Sequence, residues 1–138
     1  MTSPHERRSG CPINLTLEQL GDRWSLIVIR DVMFGNRRTF GELLAGSEEG
    51  IASNILADRL RKLEAAGIVD RRADPSDARR LIYRLSAKGI DLAPVLVELV
   101  LWSARHEATD APAPVLRAMR SDREAFIAGV RQRWRSGR

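Results

Sequence analysis

The stretch Thr39–Leu85, TFGELLAGSEEGIASNILADRLRKLEAAGIVDRRADPSDARRLIYRL, decides the fold. Its first four residues, Thr39-Phe40-Gly41-Glu42, form a capping-box pattern. The threonine hydroxyl and the glutamate carboxylate, three apart, each satisfy a free N–H at a helix start. The helix it opens is short, with Leu43 and Leu44 inward and Gly46 as its stop, and residues 47–50 make a polar turn. A stronger helix follows over about 53–66, stopped by Gly67. On a wheel of about 100° per residue, Leu60 and Leu63 fall within about 40° of Leu56. Asn54, Asp58, Arg61 and Ala65 fall near the opposite side, flanked by Ala57 and Lys62. Residues 68–73 then read as a strand, Asp74-Pro75-Ser76-Asp77 as a turn, and residues 81–85, with alternating Leu81, Tyr83 and Leu85, as the returning strand.

Helix, turn, helix, strand, turn, strand is the plan of a winged helix-turn-helix. The fold expected is mainly α with a small β-hairpin. A major groove admits one α-helix, and the second helix offers it polar groups suited to base edges. Asn pairs with adenine, Arg with guanine, and Asp accepts from cytosine. Ser53 and Asn54 occupy the first turn, where base and phosphate contacts concentrate. The candidate DNA-binding residues are therefore Thr39, Ser53, Asn54, Ala57, Asp58, Arg59, Arg61 and Lys62, with Arg79 and Arg80 on a wing spanning 74–80. An ordinary amphipathic surface helix is the alternative for the second helix alone, with Asp58 pairing Lys62 at i,i+4.

Charge agrees with this placement. Over residues 59–88 nine basic side chains face four acids, and over 117–138 seven arginines face two acids, whereas residues 1–116 balance at 16 of each sign. A basic excess of this kind suits a phosphate-binding footprint.

Outward from the core stretch, Cys11-Pro12 opens a helix with proline at its first position, with Leu17 and Leu20 inward and Gly21 as the stop. Asp22 is the expected cap of a second helix, about 23–34, carrying Trp24, Ile27, Val28 and Val32. Ser86 caps a long helix, about 87–106, apolar on nearly every side, with a break expected at Pro94. Such a helix needs more cover than one chain of 138 residues offers, so a second copy is expected to supply it. Residues 109–114 read as a Pro/Ala linker. A second capping box, Ser121 to Glu124, opens a last helix with Phe126, Val130 and Trp134 on one stripe. The organisation expected is a disordered 1–10, a domain over 11–106, and a linker and helical arm over 107–138.

The residues that carry a family likeness are Cys11-Pro12, LEQLGDRW (Leu17–Trp24), RTFGEL (Arg38–Leu43), Gly50-Ile51, NILADRLRKLEAAGIV (Asn54–Val69) and YRLSAKG (Tyr83–Gly89). The chain resembles the HxlR-type winged helix-turn-helix regulators, relatives of the MarR group, over about 11–102. The resemblance implies a homodimeric regulator, taken as a repressor, on a pseudo-palindromic double-stranded DNA operator. It implies pairing through the N- and C-terminal helices, with Leu15, Leu92, Leu96, Leu99 and Trp102 at the seam. It also implies an oxidant- or electrophile-sensing role for Cys11, whose place at a helix start favours thiolate; a small buried packing residue is the other reading. Ala52 departs from the family pattern, which has a capping Ser there, so the cap is expected to shift to Ser53.

Other classes find little support. No nucleophile–base pair, phosphate loop or metal spacing is visible, so no enzyme, cofactor or metal is expected, and His5 and His106 are isolated. No apolar run reaches a membrane span. No export signal is seen, which points to the cytoplasm and the nucleoid. Trp24, Trp102 and Trp134 fit core or interface packing, or the lining of a pocket for a small-molecule effector of unknown identity. A winged-helix module turned to a protein or RNA, without sequence-specific DNA binding, is the competing function.

Overall fold

The computed structural model describes residues 7–137. Its elements are α1 (Pro12–Leu20), α2 (Ser25–Met33), α3 (Phe40–Ala45), α4 (Ser53–Ala65), β1 (Val69–Asp74), β2 (Asp77–Leu85), α5 (Ala87–Ile90), α6 (Ala93–His106), α7 (Ala113–Ser121) and α8 (Arg123–Arg135). They fall into two compact units, residues 1–89 and 90–138. The disorder expected for 1–10 lies outside the described residues as far as residue 6. Beyond it, the Arg8 N–H donates to Glu18 Oε1 at 3.1 Å and Asn14 Nδ2 donates to the Ser9 carbonyl at 3.1 Å.

The first unit closes around α2, α4 and the hairpin. Ile29 is its most deeply enclosed α2 side chain, and Val28 lies beside it among the buried residues. Leu43, Leu56, Leu60, Leu63, Ile68, Val69 and Leu85 are enclosed with them, and Leu20, Ile51 and Tyr83 are buried at the margin. Burying one such side chain contributes about 1.5–3 kcal/mol. Each α4 leucine of the wheel is therefore inside, which fixes the opposite face outward.

Capping sets where α3 and α4 begin and end. Thr39 Oγ1 accepts from the Glu42 N–H at 3.1 Å while Glu42 Oε1 accepts from the Thr39 N–H at 3.0 Å. The α4 helix ends in a Schellman arrangement. The Ile68 N–H reaches the Leu63 carbonyl at 2.9 Å and the Gly67 N–H reaches Glu64 at 3.0 Å, with Gly67 at φ +75°. Only a residue at ease in the left-handed region makes that turn without strain.

Several expectations need correction. Leu17 is 59% exposed rather than inward, because α1 buries Leu20 as its only fully enclosed side chain. Ser53 is not the cap of α4. It is the first helical residue, and Ala52 stands at the cap with no side-chain hydrogen bond to give. The break expected in the helix over 87–106 is present but falls just before Pro94: α5 ends at Ile90 and α6 restarts at Ala93, with Pro94 in its first turn, where the missing N–H costs nothing. The linker over 109–114 is shorter than its composition suggests, since α7 begins at Ala113. The Ser121 box does not form. Asp122 caps α8 by accepting from the Ala125 N–H at 3.0 Å, and Ser121 is the last residue of α7.

In the second unit, Val97, Leu101 and Met119 form a small core, with Val100, Val115, Leu116, Phe126 and Ile127 packed on it. Arg131 pairs with Asp91 at 3.0 Å, and Arg123 pairs with Glu98. The chain's own α7 and α8 thus supply part of the cover that α6 needs, and Leu96 is already buried. Val95, Leu99 and Trp102 stay exposed.

Candidate nucleic-acid interface

The interface candidate is built from α3, α4 and the hairpin. Because Leu56, Leu60 and Leu63 face the core, Ser53, Asn54, Arg61 and Lys62 are exposed on the other side of α4, while Ala57 and Asp58 are half-buried. Arg61 and Lys62 keep 71% and 69% of their side-chain surface exposed.

Asp58 lies among cations. Its carboxylate meets Arg59 Nη1, Arg61 Nη2 at 3.1 Å and Lys62 Nζ at 3.3 Å. Lys62 first, and Arg59 with it, hold its pKa below the ordinary carboxylate value against the opposing effect of desolvation. The i,i+4 pair with Lys62 expected of a plain surface helix is present, but it is one contact of three.

Arg59 does not face outward with the others. Its Nε donates to Asp22 Oδ2 at 2.7 Å, and its side chain is only 21% exposed. Asp22 also accepts from the Trp24 and Ser25 N–H groups at 2.9 and 3.0 Å and from the Ser25 hydroxyl. Burial pushes Asp22 up, but the Ser25 and Arg59 hydrogen bonds outweigh it and bring the pKa to about 2. Asp22 is not the cap expected, because α2 runs Ser25–Met33 with Trp24 at its cap position; from two residues further out its carboxylate still accepts N–H groups at the start of that helix and ties it to α4.

The turn before α4 is clamped in a similar way. Arg30 grips Glu49 with two bonds, at 2.7 and 2.8 Å, and donates to Asp31 Oδ1 at 2.8 Å. Asp31 is nearly enclosed and also forms an ion pair with Arg37 Nη1 at 3.2 Å. Paired, planar guanidinium–carboxylate contacts fix geometry as well as charge. Nothing local in the sequence singles out Glu49, whose partner is nineteen residues away.

The wing differs from its expected form. Strand β2 begins at Asp77 rather than Leu81, and Arg79 and Arg80 belong to it. The pairing runs from Val69↔Leu85 to Ala73↔Leu81 and then jumps to Asp74↔Asp77. Residues 78–80 fall in that irregular stretch, so they stand clear of the ladder. The reversal itself is Pro75-Ser76, held by Asp74 Oδ1, which accepts from the Ser76 N–H at 2.9 Å. Arg79 is 93% exposed beside Asp77, and Arg80 pairs with Asp74 at 3.1 Å. A cleft lined by Thr39, Phe40, Gly41, Arg79, Arg80, Leu81 and Tyr83 joins the wing to the start of α3. The Tyr83 N–H donates to the Arg38 carbonyl at 2.7 Å, which holds the two sides together.

A helix with a polar outward face, a clamped turn before it and an arginine-bearing wing beside it form the frame that the family comparison matches. The HxlR-like helix-turn-helix model matches residues 19–111. The chain belongs to this family. An HTH-type transcriptional regulator of Synechocystis is 38% identical over 89 residues, 64% of this chain and 64% of that relative. The match thus spans slightly less than two thirds of that relative's length. The crystal structure of PA1607 is similar with a TM-score of 0.68 and 32% identity, covering 79% of this chain and 74% of that one. The redox regulator HypR in its oxidized form is similar with a TM-score of 0.59 and 26% identity, covering 72% and 100%. The Synechocystis relative and HypR are both regulators by name.

Cys11 is exposed just before α1. The backbone N–H groups of Asn14 and Ile13 hold its thiol pKa below the ordinary value. Among the described residues no cluster of three His, Cys, Asp or Glu could hold a metal, and no helix is long and apolar enough to cross a membrane. His5 lies outside the described residues, and His106 sits 5.2 Å from the Trp102 ring.

Proposed function

We propose that this protein is a homodimeric, sequence-specific DNA-binding transcriptional regulator of the repressor type. The observation that carries the reading is the outward face of α4, where Ser53, Asn54, Arg61 and Lys62 are exposed together. In this reading α4 enters the major groove, and Arg79 and Arg80 reach the minor groove or its phosphates. The protein acts on chromosomal DNA in the cytoplasm. Exposed Ile13 and Leu17 on α1, and Val95, Leu99 and Trp102 on α6, support pairing with a second copy. Leu15 and Leu92, both half-buried, extend that seam, whereas Leu96 has little surface left to give.

Selection from a random DNA pool tests the reading. The expected product is a palindrome whose half-sites lie about 10 bp apart. On that site Arg61→Ala is expected to cost about 1–3 kcal/mol and to relax preference at one base position. Arg80→Ala is expected to weaken all sequences alike. Unchanged affinity in both variants rules out this face.

Cys11 gives the regulator an input. Exposure and a lowered pKa make its thiolate a nucleophile for electrophiles, and HypR is a redox regulator on the same fold. With one cysteine in the chain, modification takes the form of alkylation, a mixed disulfide or a bond between subunits. Alkylation of the wild type, but not of Cys11→Ser, is expected to change the band-shift on the selected DNA. Identical shifts before and after treatment exclude the input.

A further inference from the structure

Arg59, Arg61 and Lys62 surround Asp58, yet they are not equivalent. Arg59 is tethered at its far side to Asp22, which itself is fixed by two backbone N–H groups at the start of α2. The contact from Arg59 therefore holds the Asp58 carboxylate in place on α4, where Arg61 and Lys62 rest against it from the solvent side. We propose that Asp58 is a specificity-determining residue, an acidic counterweight that holds Arg61 and Lys62 on the protein and penalises unmatched DNA, with Arg59 as its positioning residue.

This inference rests on the DNA-reading role of α4. A carboxylate in the major groove accepts hydrogen bonds and cannot donate them. It is satisfied by an exocyclic amine, such as that of cytosine, and is left unpaired beside acceptors and phosphates elsewhere. Arg61 and Lys62 can leave it for phosphates or guanine only where a base takes their place. On unmatched DNA Arg61 and Lys62 either stay on the carboxylate or leave it with Arg59 alone, and that loss of compensation beside acceptors and phosphates is a repulsive element that discriminates between partners. Arg59, spent on Asp22 and Asp58, contacts no DNA in this arrangement.

The test compares Asp58→Asn with wild type on the selected site and on random duplex, across a salt series. The expected result is a random-duplex affinity raised by about tenfold or more and a steeper salt dependence, by about one phosphate per chain. Affinity for the selected site rises less, so the ratio between the two falls. Adding Arg61→Ala removes most of that gain, because the released cation is then absent. Asp58→Ala serves as a second variant, with the same outcome expected. A ratio equal to wild type in both variants overturns the proposal while leaving the DNA reading intact. A wild type that selects no sequence overturns both, and this is seen before any variant is compared.

Discussion

Gly89→Ala is expected to lower stability by about 3 kcal/mol or to prevent folding altogether. A Cβ at this position would lie 2.2 Å from the Ile68 carbonyl oxygen and 3.2 Å from Leu85 Cβ. The carbonyl cannot yield easily. It already accepts from the Ser86 N–H at 2.9 Å and from the Ser86 hydroxyl at 3.0 Å. Ser86 Oγ in turn accepts from the Gly89 N–H at 3.1 Å. Relief therefore requires moving the Ile68–Val69 backbone, which sits in the core, and overpacking of a pinned site commonly costs about 1–3 kcal/mol or more. Gly41→Ala is the matched control. Nothing lies within 4 Å of its added Cβ, and alanine in a helix is favoured over glycine by about 0.5–1 kcal/mol. Denaturant titration of the two variants at one protein concentration separates the outcomes. Equal midpoints exclude close packing at Gly89.

The same contrast shows what was legible in the sequence. Thr39, Gly67 and the α4 leucines are visible because each acts within a few residues of itself: a cap, a stop and a helical stripe. The outward face of α4 follows from that stripe alone. Features that depend on distant partners are hidden. The sequence shows Arg59 as one more basic residue of α4, and only the fold brings Asp22 to it across 37 positions. The Arg30–Glu49 clamp is hidden for the same reason. The start of β2 is concealed differently, because Asp77 to Arg80 has turn composition but is held in the hairpin by its neighbours. In α7 the prolines imitate a linker, although Pro114 in a first helical turn is compatible with a helix start. Pattern alone also leaves the face of α1 undecided, since Leu17 and Leu20 share it and only Leu20 is enclosed.

The other large effect expected is the loss of DNA affinity with salt. Arg61, Lys62, Arg79 and Arg80 all present exposed cationic groups on the candidate face, and a dimer presents two sets. If each neutralises one phosphate, the slope of log affinity against log salt is about −7, at about −0.9 per phosphate. Raising salt from about 50 to about 200 mM then lowers affinity by about 10⁴-fold. On the wing, breaking the exposed Arg79–Asp77 pair costs only about 0–1 kcal/mol, and on the selected site Arg61 and Lys62 exchange Asp58 for DNA. The counterion term therefore sets the slope on the selected duplex. The selected duplex should keep its preference over random duplex across the whole series, because base-edge contacts depend little on salt. Filter binding or fluorescence anisotropy over the series gives the slope directly. A slope near zero excludes a phosphate-binding role for these residues. A steep slope with no sequence preference at any salt identifies a general nucleic-acid binder and removes α4 as a reader.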